Sequence, residues 1–132
     1  MDGYLLDTDT CVSRIRRKFD IDQRIAQVGK RNCCVSEITI AEWRFGAERG
    51  NQREEQMLLI DTMYEEFTVL PISDAIRHFA AEKARLWSIG QKIADFDLLI
   101  GATAVYHELI LVTNNTKHFE RIQAIRLDNW MK

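Results

Sequence analysis

Leu109-Ile110-Leu111-Val112-Thr113-Asn114-Asn115 decides the fold class. Four large apolar residues in a row, then a hydroxyl and two amides, describe a strand buried on both faces that ends at a polar rim. Such strands belong to parallel sheets, because the crossovers between parallel neighbours lay helices on each face. Tyr4-Leu5-Leu6-Asp7 repeats the pattern near the start of the chain, a short apolar run that turns acidic where it leaves the core. Asn32 to Ser36 reads as another buried strand, Phe67 to Ile72 as a strand, and Ile125 to Leu127 as a last short one. Pro71 donates no ladder hydrogen bond and assigns its strand to an edge or an end.

Helical patterns fill the intervals. Residues 10–28 read as helix with a break around Asp20 to Asp22. Ser36 caps a helix running to about Glu48, with Gly50 as its stop and Ile38, Ala41 and Phe45 on one face. Residues 51–66 follow with a helical pattern. Ser73 or Asp74 caps a helix whose stripe is Ile76, Phe79, Ala80, Lys83, Ala84 and Trp87, and Gly90 ends it. Residues 96–106 form an apolar helix rich in small side chains. The order predicts a single α/β domain over residues 1–132, a central parallel sheet of about four or five strands flanked by helices.

Bulk properties set bounds on function. The 132 residues are 46% hydrophobic and 29% charged, ordinary for a globular domain. A formal net charge of -2 excludes a general polyanion binder, so nucleic-acid contact would need local basic patches. Cys11, Cys33 and Cys34 lack metal-ligand spacing and read as reduced core thiols, which fits the cytoplasm. No signal peptide and no apolar run of membrane length is evident, so no membrane partner is expected.

Three acidic motifs fall where a parallel sheet brings chain to one edge: Tyr4 to Asp9, Ser36 to Glu42, and Asp95 to Ala102. Ligands of such sheets bind beyond the carboxyl ends of the strands. Carboxylates converging there repel one another unless a cation sits among them. Each motif also has a plainer reading. Asp7 or Asp9 caps the next helix equally well. Glu42 alone reads better as a solvated surface glutamate. Asp95 or Asp97 can be the N-cap of the small-residue helix, whose dipole favours an acid at that end. Asn114-Asn115 suits an ordinary turn as well as it suits a ligand.

Taken in order, these segments resemble PIN-domain ribonucleases, and among them the VapC-type toxins of type II toxin–antitoxin pairs. The resemblance rests on Leu5-Leu6-Asp7-Thr8, on Ser36 to Glu42 with Gly46-Ala47-Glu48, and on Ile93 to Ala104. It continues through Leu111 to Phe119 and Ile125 to Trp130, covering nearly the whole chain. It implies Asp7, Glu42 and Asp97 as the catalytic, metal-holding acids, with the often acidic fourth position falling near Asn115. Asp9 stands where relatives usually carry Asn, and Asp95 where they often carry Gly.

The resemblance implies a Mg²⁺-dependent endoribonuclease, Mn²⁺ being an alternative metal, that cuts a structured RNA such as transfer or ribosomal RNA. It implies a homodimer silenced by a VapB-like antitoxin. Asp7 and Asp97 would hold the metal, and Glu42 would bind directly or through water. Thr8, Asp95, Thr113 and Asn115 would support them. Arg14, Arg17 and Arg44 would meet RNA phosphates, although for most such arginines a solvated helix face is the plainer reading. Two alternatives stand beside this. Asp7-Thr8-Asp9-Thr10 also fits a haloacid dehalogenase-like phosphatase with Asp7 as nucleophile, Asp9 as acid/base and Lys83 or Lys92 as its lysine. A PIN-fold module that binds RNA or a partner without cutting is the other.

Overall fold

A computed structural model describes residues 2–132. Its sheet holds β1 (Tyr4–Leu6), β2 (Cys33–Ser36), β3 (Thr68–Leu70), β4 (Ile110–Val112) and β5 (Arg126–Asp128) in the order β3-β2-β1-β4-β5, every pairing parallel. β3 is an edge strand, and Pro71 follows its last residue, so both placements open to the proline are met. The chain builds one half of the sheet outward from β1 and the other outward from β4. The switch point therefore lies between these two strands, where the carboxyl ends open a crevice. Their register pairs Leu5 with Leu111 and Leu6 with Val112, and Asp7 N extends the ladder to Val112 O at 2.9 Å.

Alternation along the strands sends neighbours to opposite faces. Leu6, Val35 and Val112 point into a core shared with α1 (Thr8–Ile15), α2 (Ile21–Val28), α3 (Glu37–Arg49) and α4 (Arg53–Glu66). Leu5 and Leu111 point into the other core, shared with α5 (Ile76–Ser88), α6 (Asp95–Tyr106) and the short α7 (Thr116–Phe119).

Several expectations from sequence are corrected. The helical break near residue 20 spans 16–20, where Arg17, Phe19 and Asp20 have φ of 55°, 63° and 51°. On α3 the buried residues include Ile40, Trp43 and Ala47, while Ala41 and Phe45 are exposed. The helix turns that face out because α4 packs against the Trp43 side. On α5 the inward residues are Glu82 and Leu86, and the stripe of Ile76, Ala80 and Trp87 faces out. Ser73 and Asp74 lie in a 3₁₀ turn, Ser73–Ala75, that leads into α5 without a side-chain cap. α6 begins one residue early, after Ala94, so Asp95 and Asp97 are both in its first turn and neither caps it. α7 was not foreseen, being only one turn long.

Gly101 shows how closely α6 packs. A Cβ there would lie 2.3 Å from Ile122 Cδ1 and 3.6 Å from Phe119 Cδ1. Both neighbours are buried and have little room to yield. Gly101→Ala is expected to lower stability by about 1–3 kcal/mol through overpacking, despite its better helix propensity. Urea unfolding followed by circular dichroism checks this; an unchanged midpoint would show that Ile122 relaxes freely.

Candidate active site

Asp7 is the first residue past β1 and caps α1. Its Oδ1 accepts from Thr8 N at 2.8 Å. Its Oδ2 accepts from Thr113 Oγ1, also at 2.8 Å, at the end of β4. The side chain is therefore fixed by both strands of the switch point. It is only 7% exposed. Burial pushes its carboxyl up from 3.8 to about 7, and the nearby charges of Asp9 and Asp97 add to this against the Thr113 and Thr8 hydrogen bonds. The plain reading of Asp7 as a helix cap holds, and the same side chain is a buried acid facing a cleft.

Glu42 enters from α3. Ser36 caps that helix by accepting from Ile38 N at 3.0 Å. The helix then presents Thr39 and Glu42 on successive turns of the face toward α1. Thr8 Oγ1 donates to Glu42 Oε1 at 2.8 Å and lies 3.2 Å from Thr39 Oγ1. Glu42 is thus half-buried and held by the residue that follows Asp7. Asp97 arrives on the first turn of α6, partly exposed, with His118 Nε2 of α7 at 3.2 Å from its Oδ2. The contact is an ion pair when the imidazole is protonated, and its alignment falls short of a hydrogen bond. His118 is a neighbour that sequence reasoning missed. Its signal lay in Thr116-Lys117-His118-Phe119, which can form a helical turn directly after the Asn115 bend.

Asp7, Glu42 and Asp97 line one open cleft of about 460 Å³, together with Thr8, Asp9 and Asn115. Thr113 stands behind it, buried, and its hydroxyl also accepts from Asn115 N at 3.0 Å. Asp9 is turned toward the β4 loop. Its Oδ2 accepts from Asn114 N at 3.0 Å and its Oδ1 from Thr10 Oγ1 at 3.2 Å. Asp95 lies apart, its carboxylate on Lys83 Nζ at 2.8 Å. Among the described residues, no three carboxylate, imidazole or thiol groups are already gathered into a metal cage.

The basic residues sort differently from the sequence expectation. Arg14 bonds Glu66 through both terminal nitrogens, at 2.5 and 2.9 Å, and Asp22 through Nε at 2.7 Å. Arg17 lines a separate hollow with Arg14, Asp20, Asp22 and Glu66. Arg44 pairs with Asp61 at 2.7 Å. Arg16, from the same basic run, is the arginine that lines the acidic cleft. Lys83 and Lys92 lie over the Trp87 ring and line no part of that cleft. This leaves the phosphatase reading without its lysine.

Comparison with known proteins agrees with the geometry. The family model described as PIN domain matches residues 4–125. A protein named ribonuclease VapC2 from Haemophilus influenzae is 37% identical over 97% of this chain and 98% of its own. A tRNA(fMet)-specific endonuclease VapC from Shigella flexneri is 30% identical, covering 96% of this chain and 97% of its own. The crystal structure of DNA-bound VapBC from Salmonella typhimurium superposes with a TM-score of 0.90 at 30% identity, over 98% of this chain and 99% of that one. VapBC2 from Rickettsia felis, also with DNA, gives 0.89 at 26% identity, over 96% and 98%. The match of the family model to most of the sequence and of the fold to solved VapBC toxins has one meaning: this chain belongs to the PIN-domain family, in its VapC ribonuclease group.

Proposed function

We propose that this chain is a Mg²⁺- or Mn²⁺-dependent endoribonuclease, the toxin of a toxin–antitoxin pair, acting as one domain through Asp7, Glu42 and Asp97. The observation that carries the proposal is Asp7. It is a buried carboxylate to which no cationic side chain among the described residues is bonded, pushed up to about 7, on a cleft it shares with two further acids. That arrangement is unfavourable for the protein alone and becomes favourable around a cation.

The donor set suits a hard ion: carboxylate, hydroxyl and amide oxygens line the cleft, with no thiol. Mg²⁺ keeps several waters and takes one or two carboxylates, which three acids spread along an open cleft can supply. Asp7 and Asp97 would hold the ion. When bound, it would acidify a coordinated water and neutralise charge on the scissile phosphate. Glu42, steadied by Thr8, orients the attacking water and accepts its proton. Thr113 fixes the rotamer of Asp7, and Arg16 meets a phosphate of the RNA backbone.

A structured RNA is the substrate class, with transfer RNA favoured by the name of the Shigella relative. The VapBC structures support a VapB-like antitoxin as partner. Exposed Ile76, Trp87, Ile89 and Phe96 support a homodimer through the α5–α6 side. The three free cysteines suit the reducing cytoplasm. No helix among the described residues is long and apolar enough to cross a membrane.

The test is cleavage of initiator transfer RNA by purified protein with Mg²⁺, with Mn²⁺ and with excess chelator. Cleavage is expected only with metal, and Asp97→Asn is expected to lower the rate by about 100-fold or more. Undiminished cleavage in chelator, or by a folded Asp97→Asn protein, overturns the proposal. Asp9→Asn separates it from phosphatase chemistry. Its bonds go to the β4 loop, so cleavage is expected to stay within about threefold of wild type, where a phosphatase would lose its acid/base.

A further inference from the structure

A second hollow adjoins the acidic cleft and is unused by the chemistry described so far. It lies between α1 and the turn joining α3 to α4, with a volume of about 350 Å³. Thr8, Val12, Arg16 and Glu42 line both cavities, so the two are separated only by a ridge built on the Thr8–Glu42 hydrogen bond. Beyond that ridge the lining changes character. Its walls include Ile15, Trp43 and Ala47, and its rim carries the amides of Asn51, Gln52 and Gln56. Trp43 Nε1 donates to Gln56 Oε1 at 3.2 Å, which pins that amide and keeps its NH₂ as a donor.

We propose that this hollow receives the nucleobase of a nucleotide next to the scissile phosphate. The proposal rests on the nuclease reading and deepens it. A base is flat and uncharged, has apolar faces and carries hydrogen-bonding edges. The hollow offers the complement, since its charged residues are confined to the ridge it shares with the cleft. A phosphate would find no cation deeper than Arg16. Shared walls place the hollow within one nucleotide of the acids, and ribonucleases of structured RNA read bases splayed out of loops. The size falls at the small end of the range that holds small ligands, roughly 300–1,000 Å³.

Gly46 supplies the means of testing it. It lies on α3 in the wall of the hollow, and a Cβ there would meet nothing within 4 Å. The Cβ of Gly46→Leu therefore meets no neighbour, so the change sets a bulky apolar side chain on the wall of the hollow, and it replaces a weak helix former by a strong one. Gly46→Ala adds only a methyl and gives a graded comparison.

The experiment maps the cut in initiator transfer RNA, then places a single abasic nucleotide on either side of it. For one of the two, wild-type kcat/KM is expected to fall about tenfold or more. Gly46→Leu is expected to lose about as much on intact RNA and less than about twofold further on that abasic RNA, because the two changes remove one interaction. Gly46→Ala is expected to lose less than Gly46→Leu on intact RNA, in step with its smaller volume. Losses that multiply, or a Gly46→Leu protein that cleaves like wild type, overturn the pocket while leaving the nuclease intact. The same holds if Gly46→Leu weakens only the complex with the antitoxin, which would make the hollow a protein pocket. A wild-type protein that cleaves no RNA with either metal overturns the nuclease reading itself.

Discussion

Asp7→Asn is expected to have two opposite effects: RNA cleavage falls by about 100-fold or more, and the metal-free protein melts at a higher temperature. The second effect follows from the sign of the shift. A carboxyl moved from 3.8 to about 7 binds its proton more tightly folded than unfolded. Below about pH 4 both states are protonated and the residue costs nothing. As pH rises from about 4 to 7 the unfolded chain ionises first, and stability falls; above about 7 the full cost remains, about 4 kcal/mol. An amide escapes that cost but holds the Thr8 N–H and Thr113 hydroxyl less well, which leaves a net gain of about 2 kcal/mol at pH 8. For a chain of this length that is roughly 7 °C. Adding Mg²⁺ reverses the ranking, since the wild type gains a ligand that the variant cannot hold. Thermal melts at pH 8 and pH 5, with chelator and with Mg²⁺, check all of this. An Asp7→Asn protein that melts lower than wild type in chelator at pH 8 would contradict it.

Glu82→Ala is expected to be a damaging single change away from the cleft. Glu82 is 5% exposed on α5. Its carboxylate accepts from Arg85 at 2.8 and 2.7 Å and from Gln123 N at 2.7 Å. Arg85 in turn donates to Arg121 O at 2.9 Å. One acid thus fastens the loop between α7 and β5 to α5. Removing it strands the Gln123 amide and frees the guanidinium. The partly exposed guanidinium returns to water at little cost, so the loss comes mainly from the Gln123 amide left without its acceptor and from lost packing, about 2 kcal/mol or roughly 7 °C. The Arg85 bonds hold the Glu82 carboxyl below its ordinary value. Its contribution is therefore complete above the unfolded carboxyl's range and fades as pH falls through the folded one. The gap between wild type and Glu82→Gln should accordingly narrow in acid. Denaturant melts across that range test it, and a constant gap would show that packing, not charge, holds the loop.

What could be read from sequence followed the strength of local signals. Leu109 to Val112 and Tyr4 to Leu6 were legible because a strand buried on both faces leaves an uninterrupted apolar run. Asp7, Glu42 and Asp97 were legible as positions, yet only geometry shows that Thr8 and Thr113 hold the first two acids. Those contacts join residues 34 and 106 apart, beyond the reach of any periodicity. The faces of α3 and α5 were misread because hydrophobicity alone was counted. Phe45, Ile76 and Trp87 are apolar but exposed, and Glu82 is charged but buried by its partners. The partners of the arginines were hidden for a related reason. Neighbours in sequence diverge around a helix, so Arg14 turns to Glu66 while Arg16 reaches the cleft.

Thr113 ties the seating of Asp7 to the order in which the sheet assembles. The hydroxyl that fixes the Asp7 carboxylate lies 106 residues further along the chain. It reaches its place only when β4 has paired beside β1. A fragment of residues 2–100 would carry Asp7, Glu42 and Asp97 in full and still lack the strand that closes one side of their crevice. The cleft is thus a property of the completed sheet, and no shorter piece of the fold can stand in for it.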